Sequence, residues 1–481
     1  MGKLKLRGKD LIDIGYPQGP VISAAISAMT EHYPKHSKNE VLEKLEKVVV
    51  RPQDYLDDKV LAKVAQFLMP KQKDESEIYL NNTGVPITIY GQDFIERGAI
   101  DQINTAARLP ISVAAALMPD AHQGYGLPIG GVLATKNAVI PYGVGVDIGC
   151  RMCLSIFDIR PEELSKKAKT FSRVLDENTL FGAGKEFSKP TDHYILYRAE
   201  FKEIGLLRNL YDTAVKQLGS SGSGNHFVEF GVIEIKEKDA VLGVEAGEYV
   251  GLLSHSGSRA VGANVANHFT RIAKEKRKLQ PSAANLAWLN LDEEDGATYW
   301  MAMNLAGDYA SACHHVIHQK IAAALRMEPV RRVENHHNFA WKEMHEGGEV
   351  IVHRKGATPA GKDVLGIIPG SMTAPGFVVK GRGEAASLAS ASHGAGRKMS
   401  RTQALKELTH HTLQETLSRY GVTLMGGGLD EAPLAYKDIY RVMKAQHDLV
   451  DTVGLFHPKI VKMDGSLPKQ WKKKKNVLMG E

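Results

Sequence analysis

The chain has 481 residues, 43% of them hydrophobic and 24% charged, which is ordinary for a globular protein and long enough for two or three average domains or one large α/β domain. Its net charge of +6 suits a polyanionic partner, but much of the excess sits in the four lysines at 472–475, which read as a solvated C-terminus. No run of about 18 apolar residues appears, so a membrane span is not expected, and the basic start has no apolar segment behind it, so a secretory signal is not expected either.

The three cysteines, Cys150, Cys153 and Cys313, are too few for a secreted disulfide scaffold, which points to a cytoplasmic chain with reduced thiols. Cys150 and Cys153 have the C-x-x-C spacing of a redox pair. The preceding Gly-Val-Gly-Val-Asp-Ile-Gly does not resemble a thioredoxin context.

Along the chain, residues 1–84 differ from the rest. They hold two amphipathic stretches, 39–48 and 58–68, and read as a helical N-terminal extension. From Val85 onward, apolar β-type runs alternate with helical stretches. The strand runs include Ile87-Thr-Ile-Tyr90, Val350-Ile-Val-His353 and Phe377-Val-Val379; helices are predicted over 101–107, 161–176, 202–217, 297–325 and 400–419. No repeat of fixed period is evident.

Two glycine-rich segments resemble nucleotide loops and fail on context. Gly356-Ala-Thr-Pro-Ala-Gly361-Lys362-Asp363 nearly spells a P-loop, but Asp363 replaces the magnesium-binding hydroxyl and the following residues start a helix poorly. Gly381-Arg-Gly383-Glu-Ala-Ala386 lacks the acidic residue that a dinucleotide fold places about 20 positions later.

The chemistry lies elsewhere. Eight short segments set His, Cys, Asp or Asn beside turns: Pro119-Asp120-Ala-His122, Asp147-Ile-Gly-Cys150, Asn225-His226-Phe227-Val228-Glu229, His255-Ser-Gly-Ser-Arg259, His336-His337-Asn338, His353-Arg-Lys355, Pro369-Gly370-Ser371-Met372 and His393-Gly394-Ala395-Gly396-Arg397. A carboxylate, a thiolate and neutral imidazoles form a mixed donor set suited to zinc, manganese or iron rather than calcium or magnesium. Asp147 and Cys150 are three apart in a glycine-rich turn and can converge on one point, and a thiolate can bridge two ions. Paired ions stabilise the attacking and leaving oxygens of phosphoryl transfer. Arg259 can grip a phosphate bidentately, and Asn225 can donate an amide to the same oxygens. His393 on its glycine-rich loop is a candidate phosphoryl acceptor, with Asp120 a candidate to orient its other nitrogen.

These segments, in this order, resemble the RtcB family of RNA-splicing ligases from about Val85 to Gly465, ending on Gly426-Gly-Gly-Leu-Asp-Glu-Ala-Pro-Leu-Ala-Tyr436-Lys-Asp. The resemblance implies an α+β fold: one large domain of mixed β-sheets flanked by helices around a central metal site over 85–465, with the 1–84 extension and a basic tail at 466–481 outside it. It implies a ligase that uses GTP and two manganese ions to join RNA 3′-phosphate or 2′,3′-cyclic phosphate ends to 5′-hydroxyl ends, in tRNA splicing or RNA repair. Carried over by motif, Cys150 bridges the two ions, Asp147 and His226 complete one shell, and His255 and His337 complete the other. His393 takes the guanylyl group, Asp120 orients it, and Arg259 holds phosphate. The nucleotide falls to Asn225 through Glu229, His337, Asn338, Pro369 through Met372, Gly376, His393 through Gly396, Tyr436 and Asp464. The motifs do not encode the RNA, the oligomeric state or any need for an activating protein partner.

Three positions depart from the family pattern. Arg151 follows Cys150 where the family has glycine, Gly376 stands where a serine usually contacts the base, and Met463-Asp464-Gly465 replaces a terminal Lys-Gly. These departures leave the preferred base open. They also keep one alternative alive, a metal-dependent phosphohydrolase or RNA end-processing enzyme without nucleotide transfer, while the intact His393 and Asp120 favour the ligase over a further alternative, a non-catalytic RNA-end binder.

Overall fold

The computed structural model describes residues 4, 6–17, 19–69 and 77–465. The basic tail expected at 466–481 lies outside the described residues. The chain divides into two compact units, 1–76 and 77–481.

The first unit is helical. Gly8–Asp13, Pro20–His32, Lys38–Val50 and Ala62–Leu68 surround a core that includes Leu11, Met29, Leu45 and Leu61. Ser37 starts Lys38–Val50 with a reciprocal cap, its hydroxyl accepting from Glu40 N while the Glu40 carboxylate accepts from Ser37 N. The sequence placed the end of this region at residue 84. Residues 77–84 instead join the second unit: Glu77–Ile78 pairs with Lys278–Leu279, and Ile78 and Leu80 pack into that unit's core.

In the second unit, Arg151-Met-Cys-Leu-Ser-Ile-Phe gives no alternating polar face, and all 7 residues of the strand Arg151–Phe157 are buried. A strand covered on both faces belongs inside a sheet. The larger sheet has 8 strands, and their spatial order is Arg331–His336, Arg151–Phe157, Gly247–Ser256, Phe227–Ile235, Val450–Met463, Gly376–Gly381 and Leu365–Ile368, with Thr423–Met425 added alongside Val450–Met463. The second sheet has 5 strands in the order Asn338–His345, Gly348–Lys355, Leu127–Thr135, Ser112–Tyr125 and Ile87–Ile89. Within these two sheets, neighbours are antiparallel except where Ile87–Ile89 and Thr423–Met425 join their partners. The unit is thus a mixed α+β fold.

The long helix Glu294–Leu325 covers the reverse face of the larger sheet, where Ile317 and Ile321 pack with Phe157, Val228, Phe230 and Leu252. Helix Arg97–Ala107 buries Ala99, Ile103 and Ala106 against Ala115, Leu117 and Leu133 of the second sheet. Three predicted helices are each broken once, at Lys167, at Ile204 and at Leu408–Thr409. The 18-residue helix Arg259–Lys276 was not predicted, because it begins inside the His255-Ser-Gly-Ser-Arg259 segment that reads as site chemistry. The P-loop-like segment 356–363 holds the short strand Ala357–Pro359 and a turn, and it leads into the strand Leu365–Ile368, so no helix receives it.

Register decides which residues reach the site. Met152 pairs with His255 and Cys153 with Ser254 across neighbouring strands. Side chains alternate along a strand. Cys150 and His255 therefore share one face of the sheet, while Cys153 and Ser254 share the other. The C-x-x-C spacing places its two cysteines on opposite faces, and both are buried free thiols.

Candidate metal centre and nucleotide pocket

The front face of the larger sheet and the turns above it enclose a cavity of about 350 Å³, within the usual range for small-molecule sites. At its floor, Cys150 Sγ lies 3.4 Å from His226 Nε2 and 3.2 Å from His255 Nε2. His226 Nε2 is 2.9 Å from Asp147 Oδ2, and His255 Nε2 is 3.2 Å from His337 Nε2. Two donor groups result, Asp147/Cys150/His226 and Cys150/His255/His337, sharing the thiol.

Electrostatics explains what this cluster wants. Burial pushes the Cys150 thiol well up and the His255 imidazole down to about 3, and it also holds His337 well below its usual value. Burial alone would raise the Asp147 carboxyl, but His226 and Arg259 together outweigh it and hold it low. His255 Nδ1 donates to the Asn225 carbonyl at 3.1 Å, which leaves Nε2 a lone pair facing Cys150. His337 Nδ1 is buried without a partner. Donor atoms facing one another at about 3 Å, in a site that disfavours protonated imidazole, fit a shared cation.

Arg259 sits behind this cluster rather than in the main cavity. Its Nη2 lies 3.0 Å from His226 Nδ1 and 4.0 Å from Asp147 Oδ1, and it lines a second cleft with Gly184, Lys185 and Ser223. A guanidinium only donates, so His226 Nδ1 accepts and the ring proton sits on Nε2, toward Asp147. Metal ligation through Nε2 would displace that proton, and a proton on Nδ1 would turn the Arg259 contact away. Gly222, at φ +84°, is required here because a Cβ would lie 1.4 Å from Arg259 Nη1.

His393 follows the short strand Ser390–Ser392 and lines the cavity beside His337, with 4.9 Å between ring centroids. Its Nδ1 donates to Asp120 Oδ2 at 2.6 Å. The same oxygen accepts from the backbone N–H groups of His393 and Gly394 at 3.2 and 3.3 Å. Asp120 is fully buried, so its charge is delivered to these three donors and not to water. The Nδ1 bond leaves Nε2 as the basic nitrogen. Gly396, at φ +71°, allows the loop to pass this close, since a Cβ would sit 2.0 Å from the Asp120 carbonyl oxygen.

The other end of the cavity is lined by Phe227, Glu229, Met372, Tyr436 and Met463. Burial raises the Glu229 carboxyl well above its usual value, so this acid favours its neutral form. The Tyr436 hydroxyl donates to Glu431, which also pairs with Arg397 at 3.1 Å and Arg401 at 2.6 Å. Asn338 lines the cavity while clamping two turns, donating to the Asp147 carbonyl at 3.3 Å and accepting from Gly356 N at 2.8 Å.

The cavity gathers Asn225, His226, Phe227, Glu229, His337, Asn338, Pro369 through Met372, Gly376, His393 through Gly396, and Tyr436. Two of the expected contacts lie elsewhere. Val228 points to the reverse face and packs against Phe230 and Leu252, because strand alternation turns it away from Phe227 and Glu229. Asp464 is outside the lining, where Met463 reaches the cavity instead. The Arg151 departure is also resolved. Arg151 is an ordinary strand residue, the left-handed position falls on Gly149 at φ +67°, and the Arg151 guanidinium pairs with Glu334 at 3.2 Å on the reverse face. Sequence reasoning missed Lys437, whose ammonium donates to the Ala121 carbonyl at 2.6 Å while its N–H donates to the Gly396 carbonyl at 2.9 Å. It fastens the Asp120 strand to the His393 loop; its place beside Tyr436 in the quoted segment was the available signal. Arg401 and Val461 were missed because only the fold brings them to the cavity, whereas Glu431, like Lys437, stood in the quoted segment without being assigned a place.

A buried thiol shared by two donor groups of imidazole and carboxylate, beside a carboxylate-oriented histidine, is the kind of cluster that could hold metal ions next to a basic imidazole nitrogen. The family model described as tRNA-splicing ligase RtcB matches residues 102–464. The chain is 34% identical over 391 residues to the RNA-splicing ligase RtcB of Escherichia coli K12, covering 75% of this chain and 92% of that protein. It is 30% identical over 438 residues to the tRNA-splicing ligase RtcB of Nanoarchaeum equitans, with 76% and 92% covered. The chain belongs to the RtcB family.

Proposed function

We propose that this protein is a GTP- and manganese-dependent RNA ligase that joins 3′-phosphate or 2′,3′-cyclic phosphate ends to 5′-hydroxyl ends through a guanylated His393. The observation that carries the reading is the Asp120–His393 pair, 2.6 Å apart, opening on the same cavity as the Cys150 cluster. Membership of a family whose relatives are named RNA-splicing and tRNA-splicing ligases supports it.

His393 Nε2 attacks the α-phosphorus of GTP, forming an N–P bond as pyrophosphate leaves. Asp120 keeps the proton on Nδ1 and offsets the positive charge that grows on the ring. An RNA 3′-phosphate oxygen then takes the guanylyl group from His393. The RNA 5′-hydroxyl, giving up its proton, attacks that 3′-phosphorus and displaces GMP, leaving a phosphodiester. A 2′,3′-cyclic phosphate enters after water opens it to the 3′-phosphate.

Asp147, Cys150 and His226 would hold one manganese ion, and Cys150, His255 and His337 the other. Bound manganese would supply charge neutralisation and polarisation of phosphate oxygens. Phe227 offers the base an apolar face, and the neutral Glu229 acid offers its edge a hydrogen bond. Arg259 steadies phosphate from the adjoining cleft. Both tRNA splicing and RNA repair fit this chemistry.

The test is incubation with manganese and each labelled nucleoside triphosphate in turn. An acid-labile protein adduct should form with GTP and disappear in His393→Ala. An adduct that persists in that variant would sink the assignment.

A further inference from the structure

The reverse face of the larger sheet carries a second cluster of donor side chains. Cys153 projects from Arg151–Phe157, and His314 and His318 project from one face of Glu294–Leu325 at i, i+4 spacing. Their ligating atoms all lie within 4.8 Å of one another. The three residues are 0%, 0% and 1% exposed.

Their hydrogen bonds orient the rings inward. His314 Nε2 lies 3.1 Å from the Ser256 carbonyl, and His318 Nδ1 lies 2.8 Å from Ser155 Oγ. Each histidine thus turns its remaining nitrogen toward one point. At that point stands Ser254 Oγ, 2.6 Å from His314 Nδ1 and 2.8 Å from His318 Nε2. His314 donates Nε2–H to the carbonyl and accepts the Ser254 hydroxyl proton at Nδ1, so the same hydroxyl oxygen accepts from His318 Nε2–H while Ser155 donates to His318 Nδ1. Moving the His318 proton to Nδ1, where Ser155 Oγ can accept it, gives both rings the outward N–H and inward lone pair usual for histidine ligands. Ordinary sheet–helix packing would fill such a place with apolar side chains, as Ile317 and Ile321 do beside it.

We propose that Cys153, His314 and His318 bind a structural zinc ion, with Ser254 Oγ as the fourth ligand, on the face of the sheet opposite the Cys150 centre. The donor set, one thiolate with two imidazoles and an oxygen, suits a closed tetrahedral zinc site. On binding, the Cys153 thiol releases its proton to solvent and the sulfur takes up the metal bond. The 2.6 and 2.8 Å contacts to Ser254 Oγ open to about 3.3 Å, the ligand–ligand edge of a zinc tetrahedron. The ion pins the long helix to the strands that carry Cys150 and His255, and so stiffens the floor of the active cavity. Because the cluster is buried, the ion enters during folding.

The experiment uses the full chain produced in zinc-supplemented medium and crystallised with manganese present. Anomalous maps recorded above and below the zinc edge locate zinc without any substitution. The expected result is a zinc peak between Cys153 Sγ, His314 Nδ1 and His318 Nε2, with one zinc per chain retained through dialysis against EDTA. No zinc at that position overturns the proposal. In a second arm, Cys153→Ser should lower retained zinc at least tenfold, whereas Cys150→Ser should keep it. Full retention by Cys153→Ser, or loss in Cys150→Ser alone, also overturns it.

Discussion

Replacing Asp120 by Asn tests how the histidine is made a nucleophile. The three donors that converge on Asp120 Oδ2 compel the new amide to place its oxygen there, so His393 stays oriented. The amide nitrogen then occupies the position of Oδ1, which is buried without a partner, at a cost of roughly 1–3 kcal/mol in stability. The larger effect falls on the reaction. The buried carboxylate offsets the charge that develops as Nε2 bonds to phosphorus, and an amide does not. A loss on the order of 10²–10⁴ in rate is expected, equivalent to about 3–5 kcal/mol. The assay is single-turnover adduct formation at saturating GTP and manganese, with the thermal midpoint as a control for folding. A folded Asp120→Asn protein that forms adduct within about threefold of the parent rate would show that the Asp120 charge does not activate His393.

Other outcomes follow from single contacts. Gly396→Ala combines a left-handed φ of +71° with a Cβ 2.0 Å from the Asp120 carbonyl oxygen, and should lower stability by about 2–4 kcal/mol in urea unfolding while disordering the His393 loop. His353 accepts from Ile140 N at 2.9 Å and is pushed down by burial to about 4 from 6.5. Its folded value is the lower one, so the unfolded chain binds the extra proton, and stability falls as pH drops from 6.5 toward 4. The loss reaches roughly 3 kcal/mol from this group, to be read as a falling urea midpoint over that window and its partial absence in His353→Gln. Gly376→Ser meets no heavy atom closer than 3.6 Å at Cβ and has no left-handed φ, so it should leave stability within about 0.5 kcal/mol and alter nucleotide preference in the adduct assay.

The site was more legible than the fold that builds it. Asp147, Cys150, His226, His255 and His337 could be named because each stands in a glycine-rich or histidine-rich segment that amphipathic periodicity does not explain. The strands that carry them were harder. Arg151–Phe157 is covered on both faces and shows no alternation, so its apolar run resembles a helix segment as much as a strand. Helix Arg259–Lys276 was hidden because its first turn is also its functional turn. Contiguity in sequence misled at Val228, where the period of a strand turns every second residue away from the cavity. It also misled at Asp464, next to the Met463 that reaches it. Arg401 belongs to the cavity only through tertiary packing, and no local pattern announces it.

If the Cys150 centre and His393 together seal RNA, broken ends should be joined only when both are intact. The direct measurement mixes an RNA bearing a 3′-phosphate with one bearing a 5′-hydroxyl, in manganese and GTP, and follows product length on a denaturing gel. Joined product that requires both His393 and Cys150, with GMP released in equal amount, is the predicted result. Removal of the terminal phosphate without joining, or joining that survives His393→Ala, would show that these residues do not seal RNA.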